Sequence, residues 1–340
     1  MRNILQSSWF QSLVLVLVFA SGFLVKSLFF ETIPLPKIEN LRKQDHPYKY
    51  IDPLLLCRVV GTPPSPQYAN LKAQVNSKIS SSSDQIQKVS VVFRDLEEGH
   101  GFNINENDKY APASLLKLPL MVAYLKAFES NPSLLEKKLA ISDGTDLVDQ
   151  QNYKPLESVK PGQAYSVQEL LNYMIMYSDN NAAALLDNYL EPELKNTVYS
   201  DLDLTIPPES MTVEFMSARL YSYFFRILFN ATYLSPDLSE QAMELLTQAH
   251  FPDGIEGGVP QNIPIAQKFG ERLVKAKGDA NNSQSLYNEL HSCGIVFYPK
   301  HPYLLCIMTK GDNFSDLSKL IQSISKTIYE EVQRENSKVP

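Results

Sequence analysis

The chain has 340 residues, 44% of them hydrophobic and 20% charged, with a formal net charge of −7. That length and apolar fraction supply a full core for one large domain or two small ones. The acidic balance, with no dense basic run, leaves no footprint for nucleic acid. Three cysteines without a C-x-x-C pair and five histidines without ligand spacing give no metal or redox centre, so no metal and no cofactor is expected.

Residues 1–8 precede an apolar run from Trp9 to Phe30 that carries one charge, Lys26. The run has about the length needed to cross a ~30 Å hydrocarbon core, and Lys26 is near enough to its end to snorkel. A cleaved signal peptide ending at Ala20-x-Gly22 is the rival reading. The apolar stretch continues well past that point, so a single-pass anchor with a cytoplasmic residue 1–8 segment is expected. Either reading places the remainder outside the cytoplasm, anchored to the cell membrane or secreted. Residues 31–66 are proline-rich, with Ile33-Pro34-Leu35-Pro36 and Gly61-Thr62-Pro63-Pro64-Ser65-Pro66, and predict a spacer. Within it Tyr50-Ile51-Asp52-Pro53-Leu54-Leu55-Leu56 is apolar enough to dock on the following domain.

From Tyr68 a helical pattern (Leu71, Val75, Ile79) leads to a strand at Val89–Leu96, a turn at Glu97–Gly101 and a partner strand at Phe102–Asn105. Residues 114 to about 254 read as mainly helical, with an aromatic-rich stretch over Glu214–Asn230. After Gly254–Gly258 come three strands and a last helix, Leu317–Glu331. Strands from both ends of the chain with helices between them predict an α+β fold. It is an antiparallel sheet flanked by helices, with an all-α subdomain inserted at about 114–254. Cys293 and Cys306 stand near mirror positions about the Pro299-Lys300-His301-Pro302 turn. They could pair across two strands, but a slip of one residue separates them, and two unpaired, buried cysteines are expected.

Three short motifs carry the chemistry. Ser114-Leu115-Leu116-Lys117 opens an apolar helical run, and residues three apart on a helix share a face. A serine hydroxyl is a weak nucleophile until a base takes its proton, and lysine can serve when burial lowers its pKa. Ser178-Asp179-Asn180 follows within a second helical region, and Lys268-Phe269-Gly270 ends a strand-like run. Any one of these is weak, since chance produces it often.

In this order the three resemble S-x-x-K, S-D-N and K-T-G of the penicillin-recognising serine hydrolases, most closely the class A β-lactamase-related branch. The resemblance spans about residues 67–335. It implies Ser114 as nucleophile, Lys117 as its base, Ser178 as proton relay to the leaving group, and Lys268 as a nearby positive charge. It also implies that Asn180 holds a substrate amide and that Gly270 lets a substrate backbone run along the strand. The oxyanion hole maps to the backbone N–H groups of Ser114 and Glu271, and Asp179 is expected to tie down its own loop. The expected substrate is a cell-wall peptide or a β-lactam-like small molecule.

The chain also departs from that pattern. Phe269 replaces a hydroxyl that binds a carboxylate, and Cys293 stands where many relatives have an arginine for the same group. Glu271 adds a negative charge beside the oxyanion hole, which His291 or Arg272 could neutralise. Glu191-Pro192-Glu193-Leu194-Lys195-Asn196 superficially resembles the loop bearing a deacylating glutamate. It comes too soon after Ser178 and is expected to be a helix end and turn. The Leu204–Met211 connection looks too short to carry such a base under Ser114. The expected activity is a serine hydrolase or acyltransferase with a persistent acyl-enzyme. The alternatives are a catalytically weak module binding cell wall or protein, and a class A-type β-lactamase.

Overall fold

The computed structural model describes residues 40–42, 46–57, 68–82, 84–141, 146–204, 213–275 and 286–337. The expected anchor at 9–30 and most of the spacer lie outside the described residues. Among the described residues no helix is long and apolar enough to cross a membrane.

Strands β1 (Asn40–Arg42) and β2 (Leu54–Cys57) form a small antiparallel pair. The segment between them docks on the domain, as its apolar composition suggests. The Asp52 and Leu54 N–H groups donate to the carbonyls of Phe229 and Asn230, and Glu240 accepts the N–H groups of Lys49 and Tyr50.

Helix α1 (Ala69–Ser80) buries Leu71 and Val75 and leads to the hairpin β3 (Ile86–Asp95) and β4 (Gly101–Ile104). Asp95 closes that turn by accepting the N–H groups of Glu97 and Glu98. A 3-10 turn over Ala113–Leu116 then runs into α2 (Lys117–Ser130). The short pair β5 (Lys138–Ala140) and β6 (Ala164–Ser166) precedes α3 (Val167–Met176), α4 (Asn180–Tyr189), α5 (Pro192–Asp201), α6 (Ala218–Phe229) and α7 (Pro236–Thr247). Strands β7 (Ile265–Lys275), β8 (Leu286–Val296) and β9 (Tyr303–Gly311) complete the sheet before α8 (Phe314–Asn336).

The main sheet has the order β4-β3-β9-β8-β7 and is antiparallel throughout. Its outer strands, β4 and β7, come from distant parts of the chain, as strands at both sequence ends imply, and β9 lies at its centre beside β3. Both faces are covered, which is why Leu304-Leu305-Cys306-Ile307-Met308 is an unbroken apolar run rather than an alternation. Leu304, Cys306 and Met308 pack with the helical subdomain, whereas Leu305 and Ile307 pack with α1 and α8.

Two expectations change. Glu191-Pro192 opens a new helix, α5, rather than ending one. Glu191 sits at the N-cap position with proline at the first helical turn, where its missing N–H costs nothing. Cys293 and Cys306 form a disulfide, with S–S 2.04 Å, and are not two free thiols. The short connection fixes Val296 opposite Tyr303, and that register carries Cys293 directly opposite Cys306.

Candidate active site

Ser114 lies in the first turn after an irregular segment that several elements hold. Tyr110 bridges to Met216. The Ala111 N–H donates to Glu289 Oε2 at 3.2 Å, and its carbonyl accepts from His291 Nε2 at 3.1 Å. The His291 Nδ1 accepts the Thr309 N–H, which fixes the ring as the neutral Nε2–H tautomer. Burial pushes its pKa down to about 4, in keeping with that state. Ala113 adopts a left-handed φ of 48°, a strained choice for alanine that turns the chain into the helix.

The side chains of Lys117 and Lys268 converge on one hydroxyl, that of Ser178. Lys117 Nζ donates to Ser178 O at 2.5 Å, Ser178 Oγ at 3.1 Å and Asn180 Oδ1 at 2.7 Å. Lys268 Nζ donates to the same Ser178 Oγ at 2.8 Å and to Phe269 O at 3.2 Å. Both lysines are buried. Burial lowers the Lys117 pKa to about 7, against the opposing pull of Asp179 and Glu271. Lys268 is lowered well below the lysine range by burial and then by the charge of Lys117. A hydroxyl accepting two such donors has its own proton left to give elsewhere.

The loop that carries Ser178 is held from outside its motif. Ser178 itself has a left-handed φ of 56°. Gln151 Nε2 donates to Ser178 O at 3.1 Å, while Gln151 Oε1 accepts the Asn180 N–H at 3.3 Å. Asp179 caps α4 by accepting the Asn181 N–H and also holds Val159 N and Ser158 Oγ. It therefore ties down its loop. Asn180 turns its carbonyl end to Lys117, so its amide nitrogen faces the other way.

Gly270 is also required by the fold itself. A Cβ there would stand 2.6 Å from the Pro112 carbonyl oxygen and 3.0 Å from Leu115 Cγ. The close approach is made by the protein's own Pro112–Leu115 segment. Phe269 is buried and its ring stacks on Phe251, centroids 3.8 Å apart, with Tyr153 edge-on to both. Glu271 faces the loop across the site. Its two oxygens accept the backbone N–H and side-chain amide of Asn152 at 3.0 and 2.6 Å. His291 is occupied by Ala111 and Thr309 and does not neutralise it, and Arg272 acts on Glu289.

Of the residues the motifs point to, the fold brings Lys117, Ser178, Asn180 and Lys268 into one hydrogen-bonded cluster, and Ser114 lies in the turn that leads into Lys117. Sequence reasoning missed Gln151, Asn152 and Tyr153, which belong to no motif and read only as a polar loop. It also missed Glu289, which its place within a strand pattern does not distinguish. Most of the Leu204–Met211 connection lies outside the described residues. Among the described residues no cluster of histidine, cysteine or carboxylate side chains fits a metal ion.

Residues 70–332 match the family described as the beta-lactamase enzyme family. Among solved structures, a mutant of PBP-A in an acyl-enzyme complex with penicillin G is 21% identical, with a TM-score of 0.64, covering 80% of this chain and 99% of that one. A beta-lactamase from Chitinophaga pinensis DSM 2588 is 17% identical, with a TM-score of 0.62, covering 77% of this chain and 99% of that one. A class A beta-lactamase from Bacteroides cellulosilyticus DSM 14838 is 15% identical, with a TM-score of 0.62, covering 79% and 99% respectively. At such identities these structures speak for the fold. No curated relative matches the chain in sequence.

Proposed function

Since the chain belongs to the beta-lactamase enzyme family, we propose that it is a serine hydrolase or acyltransferase working through an acyl-Ser114 intermediate. The observation that carries this reading is the buried junction of Lys117, Ser178 and Lys268, with Ser114 in the turn that runs directly into Lys117. A neutral Lys117 has two N–H donors for the three oxygens around it, so it gives up one of those contacts and exposes a lone pair. It takes the Ser114 proton as Ser114 Oγ attacks the acyl carbonyl. The charge that develops on the carbonyl oxygen falls to the backbone N–H groups of Ser114 and Glu271. Ser178, with both lysines donating to its oxygen, passes its own proton to the departing amine or alcohol and is reprotonated by Lys117, which returns to its neutral state.

A cell-wall peptide or a related amide is the substrate class, with the domain held outside the cytoplasm by the 9–30 segment. The Cys293–Cys306 disulfide supports that compartment, because such bonds persist in oxidising surroundings. The penicillin G adduct of the PBP-A mutant supports an acyl-enzyme on this fold.

Intact mass spectrometry after exposure to a fluorophosphonate and to penicillin G tests the reading. An adduct on the parent chain, absent from Ser114→Ala and strongly slowed in Lys117→Ala, is expected. No adduct with either reagent, with Lys117→Ala indistinguishable from the parent, would overturn it. Glu271 bound to Asn152 across the mouth favours one second reading, a catalytically weak binding module. Equal affinity of parent and Ser114→Ala for a muropeptide, without turnover, would establish that instead.

A further inference from the structure

We infer that Glu289 and His291 are positioning residues that set Ser114 for attack by gripping both backbone polar groups of Ala111. They stand two apart on β8, so their side chains leave the same face of the strand. One takes the Ala111 N–H at 3.2 Å and the other donates to its carbonyl at 3.1 Å. Side chains gripping both ends of one residue replace the ladder that a regular strand would supply, and only Pro112 and Ala113 separate that residue from Ser114. The left-handed Ala113 and the packing of Pro112 on Gly270 leave the intervening chain little freedom.

The grip carries a cost of its own. Glu289 is fully buried and its Oε1 has no hydrogen-bond partner. An unmatched buried carboxyl oxygen is destabilising, and an apolar side chain of similar size would avoid that loss only by leaving the buried Ala111 N–H unpaired. Burial, with Glu214 nearby, raises its pKa to about 7, so the carboxyl carries a proton over much of the neutral range. Glutamine is then its closest mimic, since it keeps an oxygen for Ala111 N–H and adds no charge. His291 is held by Thr309 behind and packs edge-on to Tyr110, which leaves its Nε2–H aimed at one carbonyl.

This role rests on the acyl-Ser114 reading, and the test separates the two. Rates of Ser114 labelling by a fluorophosphonate, taken over a range of probe concentrations on the full chain, split the apparent binding constant from the rate at saturation. Glu289→Met and His291→Leu should each lower the saturating rate by about ten- to a hundredfold, the scale of a small misplacement of a reacting group. The binding constant should stay near that of the parent and the melting temperature should fall only modestly, since each change leaves a buried backbone group unpaired, and Glu289→Gln should restore the rate to within a few-fold. Equal rates in Glu289→Met and the parent overturn the positioning role and leave the acyl-serine reading intact. So does a loss in Glu289→Met that Glu289→Gln shares in full, or one that tracks the melting temperature. Should Glu289→Met not fold, His291→Leu alone decides by the same criteria. An unlabelled parent sinks the acyl-serine reading, and the positioning role with it.

Discussion

Gly270 gives Pro112 its place: the missing side chain lets the Pro112 carbonyl oxygen lie where a Cβ would be only 2.6 Å away. The edge strand β7 and the Pro112–Leu115 segment are thereby in contact without an intervening side chain. A methyl group at 270 meets backbone on one side and Leu115 on the other, and neither can swing away. Gly270→Ala should cost about 1–3 kcal/mol of stability, as overpacking does, and should slow Ser114 acylation as well. Thermal denaturation beside probe labelling checks this, and a variant as stable and as reactive as the parent would refute it.

Lys117 sets the pH dependence. With its pKa lowered to about 7 by burial, acylation should rise with pH through that value and level off above it. Stability should move the same way. The unfolded lysine titrates near 10.5 and the folded one near 7, so between those values the unfolded chain holds the extra proton. Stability contributed by this group therefore rises from about pH 7 towards pH 10.5, and Lys268, lowered for the same reason, adds in the same direction. Denaturant titrations of the parent and Lys117→Met at pH 7 and 9 read the difference. No gain in the parent over the variant would contradict a buried, largely neutral lysine.

Glu289 should act in the opposite sense at lower pH. Its folded pKa is raised from 4.5 to about 7, so between those values the folded chain holds the extra proton. Its stability contribution is full below about pH 4.5 and lost as pH rises to 7, by on the order of 2–3 kcal/mol. Glu289→Gln has no proton to lose and should remove that fall. If parent and variant keep a constant stability difference from pH 4.5 to 7, the carboxyl is not held as described.

Glu271 tests the charge at the mouth. Replacing it with serine removes a negative group whose field reaches Lys117, and releases Asn152. Acylation by carboxylate-bearing β-lactams should then improve by on the order of 1–2 kcal/mol if the charge is half-screened. Adding Phe269→Thr should improve it further in rate, since adjacent sites couple. The buried stack on Phe251 makes that change costly, about 3–4 kcal/mol for a large-to-small core substitution. A flat or falling acylation rate in Glu271→Ser would end the idea that this carboxylate excludes carboxylate substrates.

The disulfide gives a simpler measurement. It closes a loop of 13 residues between two central strands, and reducing it should remove about 3 kcal/mol by the chain-entropy model. A melting temperature unchanged by reductant under mild denaturant, with thiols shown to be free, would refute that contribution.

Ser114, Lys117, Ser178, Asn180 and Lys268 were legible in the sequence because their chemistry depends on residue type at short spacing. Turn residues and apolar runs mark helices and strands locally, so the α+β order was legible too. Gln151, Asn152 and Glu289 were not. Each acts through a partner far along the chain, and a polar residue in a loop or strand looks the same whether it faces solvent or a buried backbone group. Gly270 shows the same division, since the sequence marks a place where no side chain fits but not which neighbour fills it. The Cys293–Cys306 bond turned on one residue of register, which the connection between β8 and β9 fixes and which composition cannot. Local pattern thus determined the candidate reacting groups and the order of the elements. The tertiary structure decided which side chains hold those groups in place, because such contacts follow from packing between segments distant in sequence.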